Sequence, residues 1–478
     1  MTSPATPDPS LAAESGISVP TRLIALVVAV TFFMENLDAT VIATALPKMA
    51  EAFNVTPVDM NVGISAYLLA VAIFIPLSSW VADRYGTRRV FASAIVIFTL
   101  ASLLCGLSQN LGTFVFARVL QGIGGALMVP VGRLAVLRHT DKKDLVKMIA
   151  VITWPGLVAP ILGPLVGGLI VTHAVWQWIF YINLPLGIVA LGAALWLIPA
   201  GRGSAIRKFD AKGFVLLASA CALILGGLEW LGGQDANGLP AGGGAVVLGV
   251  IFSWLAIRHC RNHSNPLLPL GTIAIDTFRV SIFGGSCFRL AISALPFLLP
   301  LLFQVAFGLS PVDAGTLVLA VFAGNLAMKP FTTAIMKRYG FRKVLLVNGL
   351  IGVASVVACA GFSVDTPFWL IAAVLFAGGL SRSMQFTCYN SIGFADVPKD
   401  RMSEASALFS MFFQLAMGIG VTVAALLLRI SMSVQGHELQ AQTSDFRAAF
   451  LGVAVLGLLG LIDVFKLPEH AGASVLRR

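Results

Sequence analysis

The chain has 478 residues, of which 58% are hydrophobic and 11% charged, with a mean hydropathy of +0.90. Soluble globular chains carry about 25% charged residues, so this composition excludes a soluble domain and leaves a polytopic, all-helical membrane protein. The net charge of +10 raises nucleic-acid binding as an alternative, and the distribution of the charges has to decide it.

Residues 1–21, beginning MTSPATPDPSLAAESGISVP, hold no apolar core and read as a disordered tail rather than a cleaved signal peptide. Fourteen apolar stretches of near-spanning length follow, at about 22–46, 60–80, 90–108, 112–134, 148–172, 176–198, 212–231, 242–257, 279–304, 313–336, 344–362, 367–389, 403–428 and 447–466. Span 1 carries Glu35 and Asp38, three residues apart and so on one helix face, the only acids near the middle of any span. Carboxylates at that depth suit a proton-coupled carrier, because each can load and unload a proton. Between spans 2 and 3, WVADRYGTRRV at 80–90 sets Asp83 beside Arg84, Arg88 and Arg89, with Gly86 for a tight turn. Asp83 is expected to cap a helix or to pair with Arg84, Arg88 or Arg89 in a latch at the cytoplasmic end, the plainer reading being basic residues that only fix topology.

Span 4 buries Arg118 roughly 9 Å from its outer end, with Gln121 one turn further on. A guanidinium there is costly unless it is paired or faces water, so it marks either a functional position or a structural ion pair. Span 5 contains WPGLVAPILGPLVGGLI at 154–170, where Pro155, Pro160 and Pro164 alternate with Gly156, Gly163, Gly167 and Gly168 in a run without charge. The spacing of Gly163 and Gly167 lets helices approach closely while Pro160 and Pro164 bend the backbone, so span 5 is expected to be a kinked, tightly packed wall between two halves of the protein. RHCRNH at 258–263 offers His259, Cys260 and His263, yet with no second cluster it reads as a solvated basic loop; neither a metal nor a cofactor is expected. The six cysteines are scattered and give no disulfide framework. Further along, Arg289 lies about 15 Å into span 9, near mid-bilayer. With Asn325, Lys329 and Arg382 it makes up the substrate-cavity candidates, although Lys329 and Arg133 lie close enough to span ends to snorkel.

With the N-terminus in the cytoplasm, only Lys48, Arg429 and Arg447 of the 32 Lys and Arg residues fall outside, and Arg118, Arg133, Arg289, Lys329 and Arg382 lie within spans. The rest gather in cytoplasmic loops, so topology accounts for the net charge without a nucleic acid, and both termini are expected in the cytoplasm. RYGTRRV at 84–90 and RYGFRKV at 338–344 agree at five of seven positions, 254 residues apart. This duplication predicts an N-terminal six-helix lobe over 22–198, two inserted helices with their loops over 199–278, a C-terminal six-helix lobe over 279–466 and a cytoplasmic tail over 467–478. Parallel repeats of this kind build two-lobed alternating-access carriers. The acyltransferase-like HTDKKD at 139–144 lies in a short basic loop without a partner motif, and no outer domain or pore motif supports a receptor or channel.

Four motifs then resemble a known family. LDATVIATALP at 37–47 resembles the first-span signature of the fourteen-span drug:proton antiporters of the major facilitator superfamily; WVADRYGTRRV at 80–90, RVLQGIGGALMVP at 118–130 and GPLVGG at 163–168 resemble the motifs expected next, in order. The resemblance implies the major facilitator fold with 14 transmembrane helices, proton coupling at Arg118, and an antiporter motif in span 5 that steers the cycle. It departs at Lys337, which stands where the first half has Asp83, so a charge relay through that motif belongs to the first half alone. No sequence reads as a nucleotide-binding phosphate loop, which points to ion exchange as the drive. The expected activity is drug:proton antiport by a monomeric, multi-pass protein of a bacterial-type inner membrane, not an enzyme, whose partners are a small-molecule substrate, protons and the lipid bilayer. The alternative is export of organic anions or their metal chelates through a cationic cavity.

Overall fold

The computed structural model describes residues 19–55, 60–141, 144–200, 208–232, 238–437 and 441–476. Of the tail expected over 1–21, residues 1–18 lie outside the described residues and 19–21 already belong to the first helix; the loop charges Lys142, Lys143 and Arg207 lie outside the described residues too, as do the side chains of Pro160 and Pro164. All regular structure among the described residues is helical. Helix α1 is Val19–Phe53, and α2 is a bent pair, Asn61–Phe74 and Leu77–Tyr85, with 58° between its halves at Pro76, which brings no backbone N–H to the helical ladder. Helices α3 (Thr87–Leu107), α4 (Leu111–Arg138) and α5 (Leu145–His173) follow, then α6 in two pieces, Trp178–Tyr181 and Asn183–Leu197. The pair α7 (Ala211–Gly232) and α8 (Gly238–Asn262) leads through a short turn at Leu270–Ala274 into α9 (Asp276–Leu301).

The helical run Pro311–Ala360 is 50 residues long but breaks at Gly340, so it is two helices, α10 over 311–339 and α11 over 341–360. Helices α12 (Phe368–Ala395), α13 (Met402–Gln435) and α14 (Thr443–Phe465) complete the bundle. Among the described residues, eleven helices can cross a membrane by length and composition, or twelve with the bent α2. Dividing 311–360 at Gly340 and adding α5, 29 residues with no acid and no base but Lys147 and His173 near its two ends, brings the segments of spanning length to fourteen, each overlapping one stretch expected from hydropathy.

Gly86 has φ 87° and ψ 143°, and Gly340, 254 positions later, has φ 76° and ψ 164°. Side chains with a Cβ avoid this region, so glycine is the residue that lets each repeat turn back on itself at the same place. The helix pairing repeats as well. Helix α1 packs on α5 and α6, α4 on α2 and α3, and α3 on α6; eight helices later α9 packs on α13 and α14, and the 311–360 run on α12 and α14. Helices α7 and α8 pack on each other, with α7 against α2 and α13. Only 17% of the apolar window of α8 is buried, so its remaining faces are left for lipid. Residues 467–476 are no free tail: Val475 is buried, and the Ser474 hydroxyl donates to the carbonyl of Ala395.

The turn at Gly340 meets the C-terminal segment, where Arg342 donates to the carbonyl of Phe465 and Phe341 lies against Gly472. Hydrogen bonds between the first and second lobes join α2 and α4 to α13. Ser403 donates to the carbonyl of Ser79 at 3.3 Å, Ser406 to that of Pro130 at 2.9 Å, and Arg133 to the hydroxyl of Ser410 at 3.3 Å.

Candidate functional site

Between the lobes lies a cavity of about 200 Å³, lined from α1, α2, α4, α5, α12 and α13. Glu35 is the one acid in its described lining, and Arg133 and Arg382 are the bases. One Glu35 oxygen accepts from the Tyr67 hydroxyl at 3.3 Å, while the other is buried and has no hydrogen-bond partner. An unpaired carboxylate oxygen in such a place carries a desolvation cost that a proton or a ligand donor removes.

Asp38, one turn on, faces the other way, into a closed polar network. Arg118 donates to it at 2.6 Å, and both side chains are almost wholly buried. Gln121 donates to the second Asp38 oxygen at 2.9 Å and to Ser102 at 2.9 Å, and Asn183 reaches the same oxygen at 2.9 Å. The Arg118 guanidinium also sits over the Tyr67 ring, 4.4 Å from its centroid, as cations favour the face of an aromatic ring. Tyr67 therefore touches both groups, with its hydroxyl on Glu35 and its ring on Arg118. At the repeat offset of 254 the second lobe has Ile292, Val321, Ala372 and Leu375 in place of Asp38, Tyr67, Arg118 and Gln121. This polar network belongs to the first lobe.

The second-lobe candidates do not converge on the cavity. Arg382 lines it and has no hydrogen bond or ion pair among the described residues. Arg289, which the repeat offset of 254 aligns with Glu35 and so would set facing it across the cavity, is instead covered: its guanidinium lies over Phe409 at 4.7 Å and Phe413 at 5.2 Å and donates to the carbonyl of Ser281. Phe409 and Phe413 are one turn apart on α13, so their rings stand together between Arg289 and the lobe interface. Lys329 does not snorkel; it is buried and donates to Thr387 at 3.0 Å. Asn325 is buried beside α12 and lines none of the cavities described here. Arg133 does not snorkel either, crossing from α4 to stack on Phe409 and bond Ser410.

At the basic end Asp83 pairs with Arg138, at 2.8 Å, rather than with Arg84, Arg88 or Arg89. Arg138, the last residue of α4, donates to Thr87 as well, so the pair ties the turn at Gly86 to α4. Arg84 lies over the rings of Trp80 and Tyr85. Arg88 is half-buried and Arg89 exposed.

Helix α5 is unbroken through Pro155, Pro160 and Pro164, and it packs chiefly on α1, with lesser contacts to the 311–360 run and α12. Gly156 lines the cavity against Phe32 and Asn36. A methyl group on Gly163 would overlap the Thr40 side chain, and Gly167 is buried, whereas Gly168 has open space around it. Replacing Gly163 by Leu is therefore expected to prise α5 from α1 and slow transport at least tenfold with expression retained. Equal rates for Gly163→Leu and the unchanged protein in reconstituted vesicles would show that this contact does not govern the cycle.

The stretch expected as a solvated loop is instead helical over 258–262, the end of α8, with His263 directly after it. Asp210 accepts from His259 at 2.8 Å and from the backbone N–H groups of Gly213 and Leu267, so it caps α7 and ties it to α8. Burial alone would raise its pKa, but these donors, Gly213 first, together hold it below the usual carboxylate value. His263 stands beside this pair, so the donor atoms of Asp210, His259 and His263 lie within 4.8 Å of one another, a spacing that could hold a metal ion, with Cys260 buried and outside that group.

Tyr67, Ser102 and Asn183 were not singled out by sequence. Each is a lone polar or aromatic residue in an apolar run, and lone polar groups inside spans are the available signal.

Comparison with known proteins agrees with this architecture. The Major Facilitator Superfamily model matches residues 28–421, and again 281–476. The protein named "Putative multidrug resistance protein MdtD" from Cronobacter sakazakii is 38% identical over 461 residues, covering 94% of this chain and 95% of the relative. Its namesake from Escherichia coli is 37% identical over 464 residues, covering 95% and 96%. Among solved structures, the human organic anion transporter MFSD10 superposes with a TM-score of 0.65 at 16% identity, covering 93% of this chain and 99% of its own. The proton:xylose symporter XylE gives 0.64 at 15% identity, covering 96% and 98%. A fold made of two packed repeats, a cavity between them and matches along nearly its whole length place this chain among the transporters of the Major Facilitator Superfamily.

Proposed function

We propose that the chain exports small molecules in exchange for protons, by alternating access, as a monomer in a bacterial-type inner membrane with both termini in the cytoplasm. The observation that carries this reading is Glu35: the one acid in the described cavity lining, with one oxygen unpaired and the other linked through Tyr67 to the face of Arg118. A proton arriving at Glu35 removes a charge from the cavity, and Tyr67 lies where that change is felt by the Arg118–Asp38 pair. Substrate and proton then compete for a small cavity whose two guanidinium groups and one carboxylate respond to each other's charge. The bonds between lobes at the basic end hold the cytoplasmic side shut in this conformation, so opening inward requires Ser403, Ser406 and Arg133 to give up their partners across the interface. The names of the bacterial relatives support drugs as the substrate class. A second reading, export of organic anions or their metal chelates, is favoured by the excess of guanidinium over carboxylate in the cavity and by the unpaired Arg382. Everted membrane vesicles with an acid interior test the coupling: uptake of a labelled substrate is expected to rise with the gradient and to collapse when an ionophore dissipates it. Uptake indifferent to the gradient would remove proton exchange from the reading.

A further inference from the structure

The largest apolar recess described is not at the lobe interface but on the outside of the bundle. A groove of about 810 Å³ runs between the inserted pair and the second lobe, walled by α7 and α8 on one side and α9 and α13 on the other. Its floor is closed, with Ala256 and Leu408 almost fully buried, while its mouth is open, with Ile257 and Phe283 each 44% exposed. The lining is aliphatic and aromatic apart from two cysteines, Ser253 and Arg261, and Ser253 spends its hydroxyl on the carbonyl of Gly249 at 2.8 Å. A polar solute would find no free partner inside, and water filling the groove would lack the two to four partners an ordered water needs.

The rim is different at its basic end. Arg261 lines the groove there, exposed and in the last turn of α8. Arg401, from the turn before α13, brings its guanidinium within 3.7 Å of where a Cβ on Gly271 would stand, and Gly271 is part of the same lining. Of the acids near this rim, Asp276 is paired with Arg279 at 2.9 Å and Asp210 with His259 at 2.8 Å. The groove therefore has an apolar body at membrane depth and two guanidinium groups at the level of a leaflet surface. The volume falls in the usual range of ligand pockets, about 300–1,000 Å³.

We propose that this groove binds an anionic phospholipid of the cytoplasmic leaflet, with an acyl chain along α8 and α9 and the phosphate on Arg261 and Arg401. The charge pattern selects this occupant: a lipophilic cation would be repelled at the rim, and a free phosphate would leave the apolar body bare. The bound chain would fill the space between the inserted pair and α13, the helix that also carries Phe409, Ser410 and Phe413 at the lobe interface, so lipid occupancy bears on the moving part of the carrier. Such basic pockets between helices at a cytoplasmic surface are suited to acidic headgroups.

The test uses the full chain, purified in mild detergent, stripped of lipid and titrated by native mass spectrometry with phosphatidylglycerol, phosphatidylcholine or inorganic phosphate. One tightly held phosphatidylglycerol is expected, with phosphatidylcholine at least tenfold weaker. Arg261→Glu and Ala274→Trp, both at exposed positions, are each expected to weaken it at least tenfold without moving the thermal unfolding midpoint of the lipid-free protein. Equal retention of the two lipids, unchanged binding in both variants, inorganic phosphate displacing the lipid at millimolar concentration, or preferential occupancy by a lipophilic cation such as tetraphenylphosphonium would each overturn the proposal.

Discussion

Arg118→Ala and Asp38→Asn are expected to abolish gradient-driven transport, and Glu35→Gln to abolish coupling while sparing the fold. The three differ because the side chains sit in different surroundings. Asp38 and Arg118 are a buried ion pair 2.6 Å apart, with Gln121 and Asn183 donating to the same carboxylate. Removing one partner of such a pair leaves a charge without compensation, which costs about 3–5 kcal/mol. Arg118→Ala should therefore lower the thermal midpoint as well as transport. Asp38→Asn keeps an oxygen to accept from Arg118, so its loss of stability should be the smaller of the two. Glu35 faces a cavity, and its replacement by Gln keeps an acceptor for the Tyr67 hydroxyl, so the unfolding midpoint should stay within a degree or two of the parent. What Glu35→Gln loses is the titratable group itself, so uptake should fall at least tenfold under a pH gradient and become insensitive to its size. Parent-like gradient-driven rates in both Asp38→Asn and Arg118→Ala would remove the pair from the coupling machinery, and a gradient response surviving in Glu35→Gln would do the same for the carboxylate.

How far the sequence carried these residues follows from what a one-dimensional pattern contains. Hydropathy fixes depth, so the placement of the spans, and of Arg118 and Asp38 inside them, was legible. The positive-φ turns at Gly86 and Gly340 were legible too, because glycine at the same place in two copies of one motif has a backbone reason. Azimuth and long-range partners were not. Glu35 and Asp38 lie three residues apart, yet one lines the cavity and the other is enclosed by Arg118, Gln121 and Asn183, a division that depends on where α4 and α6 pack. Asp83 has three arginines within six residues, but Arg138, 55 positions on, takes it because the end of α4 lies against the turn. Arg289 sits at mid-depth as counted, but Phe409 and Phe413 from a helix more than a hundred residues away screen it from the cavity.

That screening changes which cation should set the sign of the substrate. Arg382→Ala is expected to cut export of carboxylates at least tenfold and to leave quaternary ammonium export unchanged or improved, whereas Arg289→Ala should alter the balance between them little. A hydrogen bond to a charged group contributes about 1.5–3 kcal/mol, and each 1.4 kcal/mol is a factor of about ten in affinity, so losing a single guanidinium contact suffices for the effect. Arg382 is placed to make that contact, because it lines the cavity and no acid or acceptor among the described residues holds it. Arg133 is a weaker candidate, being stacked on Phe409 and bonded to Ser410 across the lobes. Glu35 offsets one positive charge only while it is ionised. When it takes up a proton the described lining carries two cations and no anion, and the cavity should then hold an anion best. Proton loading and anion binding would then reinforce each other, unlike the competition that exchange of a cationic drug for a proton requires, so a carboxylate would be expected to bind more tightly at the lower pH, and a quaternary ammonium less tightly. Binding of a carboxylate panel and a quaternary ammonium panel to the purified protein, at two pH values and in both arginine variants, reads this directly. Strong cation transport that survives Arg382→Ala, with no carboxylate response at either pH, would return the cavity to cationic substrates.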